Sequence, residues 1–397
     1  VKSRVDIAYF PLGAAAFGGA ERSILELAAS QHAAGRSVRV FYEPALEQTD
    51  FVAHAQKLSL PIEPVAWAPE LSLSSVVREA WRVFGDLDAS LVHFNISWRR
   101  HMWAIPAVAR LRSRSQLVGS MRAMPERAED TPRQRHFGFV PGLQLWRLPD
   151  LVMGRVWART LHATVSVNRD DYPPRLVSEF GFRPERLLTI YNGVPLPASV
   201  PGTDDRRFAR ETLGLPSDSF VIGYVGRVSA EKGLKYAVEG LASARARARM
   251  HLLVAGDGDD LASARAAATV AGVADRVHFL GYVSDPSRVY AAADIAVVPS
   301  LWNEAFGRVV VEAMGRALPV VATTVGGMRE LFEDGEQGLF VPKADTAALA
   351  AAFDRLAADE APRRRMAAAA RELALARYST QRVAAEYARL YESLSHA

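Results

Sequence analysis

The sequence predicts an α/β protein made of two domains, each with a parallel sheet. Three observations lead there. Short apolar, β-branched runs alternate with longer Ala/Leu-rich stretches of helical period along the whole chain. The runs are apolar throughout rather than alternating, as strands covered by helices on both faces must be. A polar break rich in Gly and Pro divides them into two series.

The first series comprises Val5–Phe10, Val38–Tyr42, Leu91–Phe94, Gln116–Ser120, Thr164–Val167 and Leu187–Tyr191. The break runs from Asn192-Gly193-Val194-Pro195-Leu196-Pro197 to Pro201-Gly202-Thr203-Asp204-Asp205 and reads as a linker. The second series comprises Phe220–Val225, His251–Ala255, Val277–Leu280, Ile295–Pro299, Val320–Thr323 and Gly338–Val341. Arg382–Leu394 carries apolar residues at helical spacing and predicts a terminal helix. The stretch Arg122–Pro149 has no clear period and predicts an irregular excursion over the first domain's cleft face, with a disordered loop as the alternative. The expected domains are 1–192 and 193–375, with 376–397 as the closing helical segment.

A chain of 397 residues is long enough for two cores. It contains no cysteine, which excludes disulfides, thiolate metal sites and a cysteine nucleophile. Charges interrupt the first residues, Val1 to Asp6, and no uncharged apolar run is long enough to span a bilayer, so the expected location is cytoplasmic. The net charge is +4, but Ile96 to Arg186 holds 16 Arg against 8 acids. Such a bias reads as a solvated face or as a surface for phosphate groups or the inner membrane face. Aromatic residues are not interleaved with it as nucleic-acid binding would require.

Four local patterns carry chemistry. Gly18-Gly19-Ala20-Glu21 lies between the first strand and a helix, where backbone N–H groups and the helix dipole suit a phosphate. Ala255-Gly256-Asp257-Gly258-Asp259 begins like a dinucleotide fingerprint, but Leu261 stands where the third glycine belongs, so it reads as a tight turn. Gly226-Arg227-Val228-Ser229-Ala230-Glu231-Lys232-Gly233 puts two cations after a buried strand, at the sheet edge where ligands bind in open α/β folds. Lysine is rare in this chain, with five residues in all. Finally, Glu304 follows a strand and Glu312 sits eight residues later inside an apolar helix. A carboxylate there needs hydrogen bonds, from a ligand's hydroxyls or from an arginine.

Taken together, Gly18–Glu21, Tyr191–Val194, Gly226–Gly233, the Gly256–Gly258 turn, Asp294–Ser300, Glu304–Met314 and Thr324–Gly327 with Glu330 resemble the family 4 retaining glycosyltransferases of GT-B fold, two Rossmann-like domains facing each other across a cleft. The resemblance spans nearly the whole chain. It implies transfer of a sugar from a nucleoside-diphosphate sugar, UDP favoured, to a hydroxyl acceptor, with no metal or other cofactor. It implies that Arg227 and Lys232 grip the diphosphate, that Glu312 takes the ribose hydroxyls, and that Glu304 and the backbone N–H groups of Phe306, Gly307 and Arg308 hold the sugar. The base would lie near Tyr282 and Val283, and Gly18 and Gly19 would approach the phosphates.

The chain departs from the family in its first half. Many members carry His-x-His where this one has His93-Phe94-Asn95, and a histidine near the position of Arg122. Arg122 cannot serve as a base at neutral pH but can hold a carboxylate or phosphate with two hydrogen bonds. It is therefore expected on the acceptor or sugar side with His93 and Asn95, facing an anionic acceptor. Pairing with Glu126 or Glu129 is the alternative, as a structural role is for His93. Two other readings of the whole are a nucleotide-sugar epimerase on the same fold and a non-catalytic binding protein that keeps the donor cleft.

Overall fold

The computed structural model describes residues 4–13, 17–67, 70–99, 101–125 and 148–395. Most of the Arg122–Pro149 stretch, with Glu126 and Glu129, lies outside them. The chain divides into two units, Val1–Gly193 with Thr380–Ala397, and Val194–Ser379. The first boundary falls within the expected linker. The return comes four residues later than expected, after Ser379.

The first unit runs β1 (Val5–Pro11), α1 (Gly19–Ala33), β2 (Val38–Tyr42), α2 (Asp50–Lys57), β3 (Ile62–Pro64), α3 (Leu73–Asp86), β4 (Ala89–Ile96), α4 (Ala104–Arg112), β5 (Gln116–Met121), α5 (Leu148–Thr160), β6 (Ala163–Ser166), α6 (Tyr172–Phe180) and β7 (Leu187–Thr189). The second runs α7 (Thr203–Thr212), β8 (Phe220–Val225), α8 (Leu234–Ser243), β9 (Met250–Ala255), α9 (Leu261–Val270), β10 (Val277–Gly281), α10 (Ser287–Ala292), β11 (Ile295–Val298), α11 (Arg308–Met314), β12 (Val320–Thr323), β13 (Gly338–Val341), α12 (Thr346–Ala358) and α13 (Glu360–Tyr378). The last helix, α14 (Thr380–Ser395), belongs to the first unit.

The sheets have the orders β3-β2-β1-β4-β5-β6-β7 and β10-β9-β8-β11-β12-β13. Every ladder between these strands is parallel, as the apolar runs demand. Each order reverses once, between β1 and β4 and between β8 and β11, which makes the C-terminal ends of those strands the places for ligands. Only β3 lies outside the expected runs; a three-residue, partly exposed edge strand leaves too short a pattern to read.

In the first unit, Ile7, Tyr9, Val40, Leu91 and Val118 of the sheet pack with Ile24 and Leu25 of α1 and with Tyr387 and Tyr391 of α14. In the second, Ile222, Leu252, Ile295 and Val321 pack with Val238 and Leu241 of α8 and Phe353 of α12.

Candidate active site

The switch point of the second sheet gathers the expected donor residues. After β8 the chain turns at Gly226, with φ 145°. Two bonds hold the loop's backbone: the Tyr224 hydroxyl donates to the Arg227 carbonyl at 2.7 Å, and Val228 N–H to Asp257 O at 2.9 Å. Arg227 itself is exposed and, among the described residues, makes no ion pair. A guanidinium on a braced backbone, open to solvent, is suited to an incoming anion. The Gly256–Gly258 turn is structural, as its failed fingerprint suggests. A Cβ on Gly256 would lie 1.8 Å from the Gly226 carbonyl oxygen, and one on Gly258 2.2 Å from that of Val228.

Lys232 ends a short 3-10 turn, Ala230–Lys232, and Gly233 follows in the left-handed region with φ 67°. A Cβ on Gly233 would come within 2.1 Å of the Pro299 carbonyl oxygen, so only glycine lets this loop close on the one after β11. Leu301 N–H donates to Glu231 O at 2.7 Å and ties the two loops further. As a result the Lys232 ammonium and the Glu304 carboxylate form a direct ion pair. The buried Ser300 hydroxyl donates to the same Glu304 oxygen at 2.9 Å. Gly327 N–H donates to the Glu304 carbonyl at 2.7 Å, which fixes the backbone as well.

Glu312 lies on α11, whose N-terminus is set by Gly307 at φ 93°. Its oxygens accept from Arg308 Nε at 2.9 Å and from the Tyr290 hydroxyl at 3.2 Å, and the Arg316 guanidinium covers the Tyr290 ring at 4.7 Å. The arginine partner weighed as the alternative for Glu312 is thus present, in Arg308, a residue expected instead to offer its backbone to the sugar. Each carboxylate oxygen has a second lone pair, so the pairing leaves room for a diol. Phe306 is buried against Tyr378. Tyr282 is exposed and Val283 partly buried just after β10.

The first unit alters the expectations for His93. It is fully buried, with Nδ1 2.6 Å from the Tyr391 hydroxyl and Nε2 2.7 Å from Ser120 Oγ, and Ser120 Oγ lies 3.0 Å from the Tyr387 hydroxyl. Burial, and then the charge of Arg122, lowers its pKa to about 3 and keeps the ring neutral. His93 is therefore a core residue that docks α14, not a residue of the acceptor or sugar side. Asn95 is buried at the end of β4. Arg122 is also buried; with Ser23, Glu26, Tyr191 and Tyr387 it borders a hole of about 10 Å³, room for one water at most. At the start of α1, the Gly18 N–H donates to Glu21 Oε2 at 3.0 Å, so the helix's own acid occupies one of the amides expected to meet phosphate.

Sequence reasoning missed Ser300, Tyr290 and Tyr224 as supports. Ser300 stands within a quoted motif, but only the fold aims its hydroxyl at Glu304.

Residues 205–373 match the family model described as glycosyl transferases group 1. The D-inositol 3-phosphate glycosyltransferase of Thermomonospora curvata is 30% identical over 390 residues, covering 89% of this chain and 85% of that protein. The chain belongs to the glycosyl transferases group 1 family. The enzyme of the same name from Geodermatophilus obscurus is 31% identical to this group 1 glycosyltransferase over 298 residues, 70% of the chain but less than two thirds, 62%, of that relative's length. The HepE protein of Anabaena, solved in complex with UDP, has the same GT-B fold, with a TM-score of 0.80 at 22% identity over 98% of this chain and all of that one. The relatives carry out glycosyl transfer, which sets aside the epimerase reading. Among the described residues no helix is long and apolar enough to cross a membrane.

Proposed function

We propose that this protein is a retaining, metal-independent glycosyltransferase that moves a sugar from a nucleoside diphosphate, UDP favoured, to a hydroxyl of a phosphorylated polyol. The observation that carries the reading is the Lys232–Glu304 ion pair at the β8/β11 switch point, with the exposed Arg227 on the loop that carries Lys232. UDP is favoured because a protein of the same fold was solved with it, and an inositol phosphate-like acceptor because of what the relatives are named for.

Without donor, Lys232 and Glu304 neutralise each other. A bound diphosphate offers Lys232 a stronger anionic partner, which releases a Glu304 oxygen toward a sugar hydroxyl while Ser300 holds its direction. The bond from the anomeric carbon to the phosphate oxygen breaks, and the electron pair leaves with the diphosphate. Arg227 and Lys232 meet the growing charge and stabilise the transition state more than the ground state. The acceptor oxygen bonds to the anomeric carbon on the face the phosphate leaves, its proton passes to the departing phosphate, and configuration is retained. Two fixed cations supply the charge stabilisation for which other enzymes use a metal.

Lys232→Ala and Glu304→Ala are each expected to lower turnover by about 100- to 1000-fold with an unchanged circular dichroism spectrum. Near-normal release of nucleoside diphosphate with acceptor present would remove both residues from the mechanism. Activity should also survive excess EDTA; loss restored by Mg²⁺ or Mn²⁺ would refute the metal-free route, and no release under any acceptor would favour a binding protein.

A further inference from the structure

The first unit contains a second concentration of positive charge, at the edge of its own sheet opposite the strands' C-terminal ends. The C-terminal half of α5 supplies Arg155 and Arg159, and the connection from α6 to β7 supplies Arg183 and Arg186. Both segments lead into the N-terminal ends of β6 and β7, so they lie at the sheet edge opposite the one where ligands of this fold bind. The four arginines line one open cavity of about 260 Å³, with Phe180, Gly181 and Ala158 between them.

Two helices pack closely beside this cavity. Gly154 of α5 packs directly on Phe180 of α6, where a Cβ would fall 2.3 Å from the ring. Gly181 turns the chain out of α6 with φ 73° and brings Arg183 alongside α5. Two guanidiniums are tethered by neutral partners: Arg159 Nη1 donates to Arg155 O at 3.2 Å, and Arg186 Nη1 to Leu161 O at 3.5 Å. Those bonds orient charge without cancelling it. Among the described residues none of the four arginines is in an ion pair. The nearby acid of α6, Glu179, is committed to Arg175 at 2.9 Å. Burial, and after it the charges of Arg110 and Arg186, lowers the pKa of the neighbouring His162.

Four like charges around one open cavity attract an anion, although three of them are exposed and Glu185 lies between Arg183 and Arg186 in the chain. Planar guanidiniums match phosphate oxygens with paired hydrogen bonds. We propose that Arg155, Arg159, Arg183 and Arg186 form a binding site for a multiply charged phosphate-bearing ligand, separate from the donor site and independent of the reaction proposed above.

Inorganic pyrophosphate is the probe. The full chain carrying Arg227→Ala and Lys232→Ala lacks the proposed donor cations, so calorimetric titration reads binding outside the donor site. We expect saturable binding that weakens steeply with salt and at least roughly tenfold with Arg183→Gln plus Arg186→Gln. Arg159→Gln, on the exposed face of α5, repeats the comparison if the double substitution melts early. Absence of binding in the Arg227/Lys232 background, or affinity unchanged by these substitutions, would overturn the site. Vesicles of phosphatidylglycerol, with phosphatidylcholine as control, separate two sources of the phosphate. Vesicle binding that pyrophosphate displaces places a lipid headgroup in the same cavity. Vesicle binding without any pyrophosphate binding would mean diffuse surface attraction and would also overturn the discrete site.

Discussion

Glu43 follows β2 and is 1% exposed, yet it carries an ionisable carboxyl. Gly13 N–H donates to one oxygen, while the other has no hydrogen-bond partner among the described residues. Burial pushes its pKa up to about 8, against the opposing pull of the Gly13 N–H and of Arg99, with Glu70 and Glu21 adding to the rise. The neutral acid's share of stability is therefore complete below the ordinary value of 4.5 and is lost as pH rises through 8. His93 works in the other direction. Its depressed value means stability present above 6.5 and lost as pH falls toward 3. Glu43→Gln keeps the acceptor for Gly13 and cannot ionise. Thermal melts should show it close to wild type near pH 5 and more stable at pH 8. An equal loss of Tm for both proteins between those pH values would mean that Glu43 ionises as readily in the native state as in the unfolded chain.

Helix α14 shows how one element can be legible as a helix and opaque in its role. Its apolar face, Val383, Ala384, Tyr387, Leu390 and Tyr391, is written at helical spacing, and all five are buried. What they meet is not written locally. Gln31 of α1 donates to the Ala384 carbonyl at 3.0 Å, Arg36 pairs with Glu392 at 2.7 Å, and the Tyr391 and Tyr387 hydroxyls complete the polar chain through His93 and Ser120. A buried polar chain is stabilising only if every member is satisfied. Tyr391→Phe removes the partner of His93 Nδ1 while keeping the ring's packing, and should cost about 1–3 kcal/mol. Urea unfolding checks this; a change below a few tenths would mean that water replaces the hydroxyl at little cost.

At the scale of the whole molecule each unit buries its own hydrophobic residues among those described, and the last helix serves the first unit although it follows the second in the chain. The second unit has its own buried polar anchor. Asp294, just before β11, pairs with Arg206 and Arg210 of α7 and with Arg363 of α13, and accepts from Val221 N–H at 2.7 Å. Removing one carboxylate would leave partly buried guanidiniums without their counter-charge. Asp294→Ala is therefore expected to destabilise the second unit by about 3–5 kcal/mol. Tyr391→Phe should act on the first unit. Calorimetric unfolding of the full chain should resolve this as two transitions, each shifted by its own variant. A single transition moved equally by both would show that the units melt together.

The order of the strands apart from β3, the two-domain division and the terminal helix could be read from the sequence, because apolar period and Gly/Pro punctuation are local properties of the backbone. The candidate donor residues could be picked out for a related reason: Arg227, Lys232, Glu304 and Glu312 lie in two short segments after strands, at the edge where a parallel fold places its ligand-facing loops. His93 could not be assigned that way. Its position at a strand end suits a site and a core equally, and the decision rests with Tyr391, 298 residues further along. The same holds for the cavity of four arginines, whose members belong to two segments joined by the packing of Gly154 on Phe180. Sequence alone determined where the strands other than β3 fall, that a helix ends the chain's pattern, and which charged groups stand at the edge of the second sheet. Only the tertiary structure decided which polar groups are buried together, because a side chain's solvent and partners are supplied by segments distant in the chain.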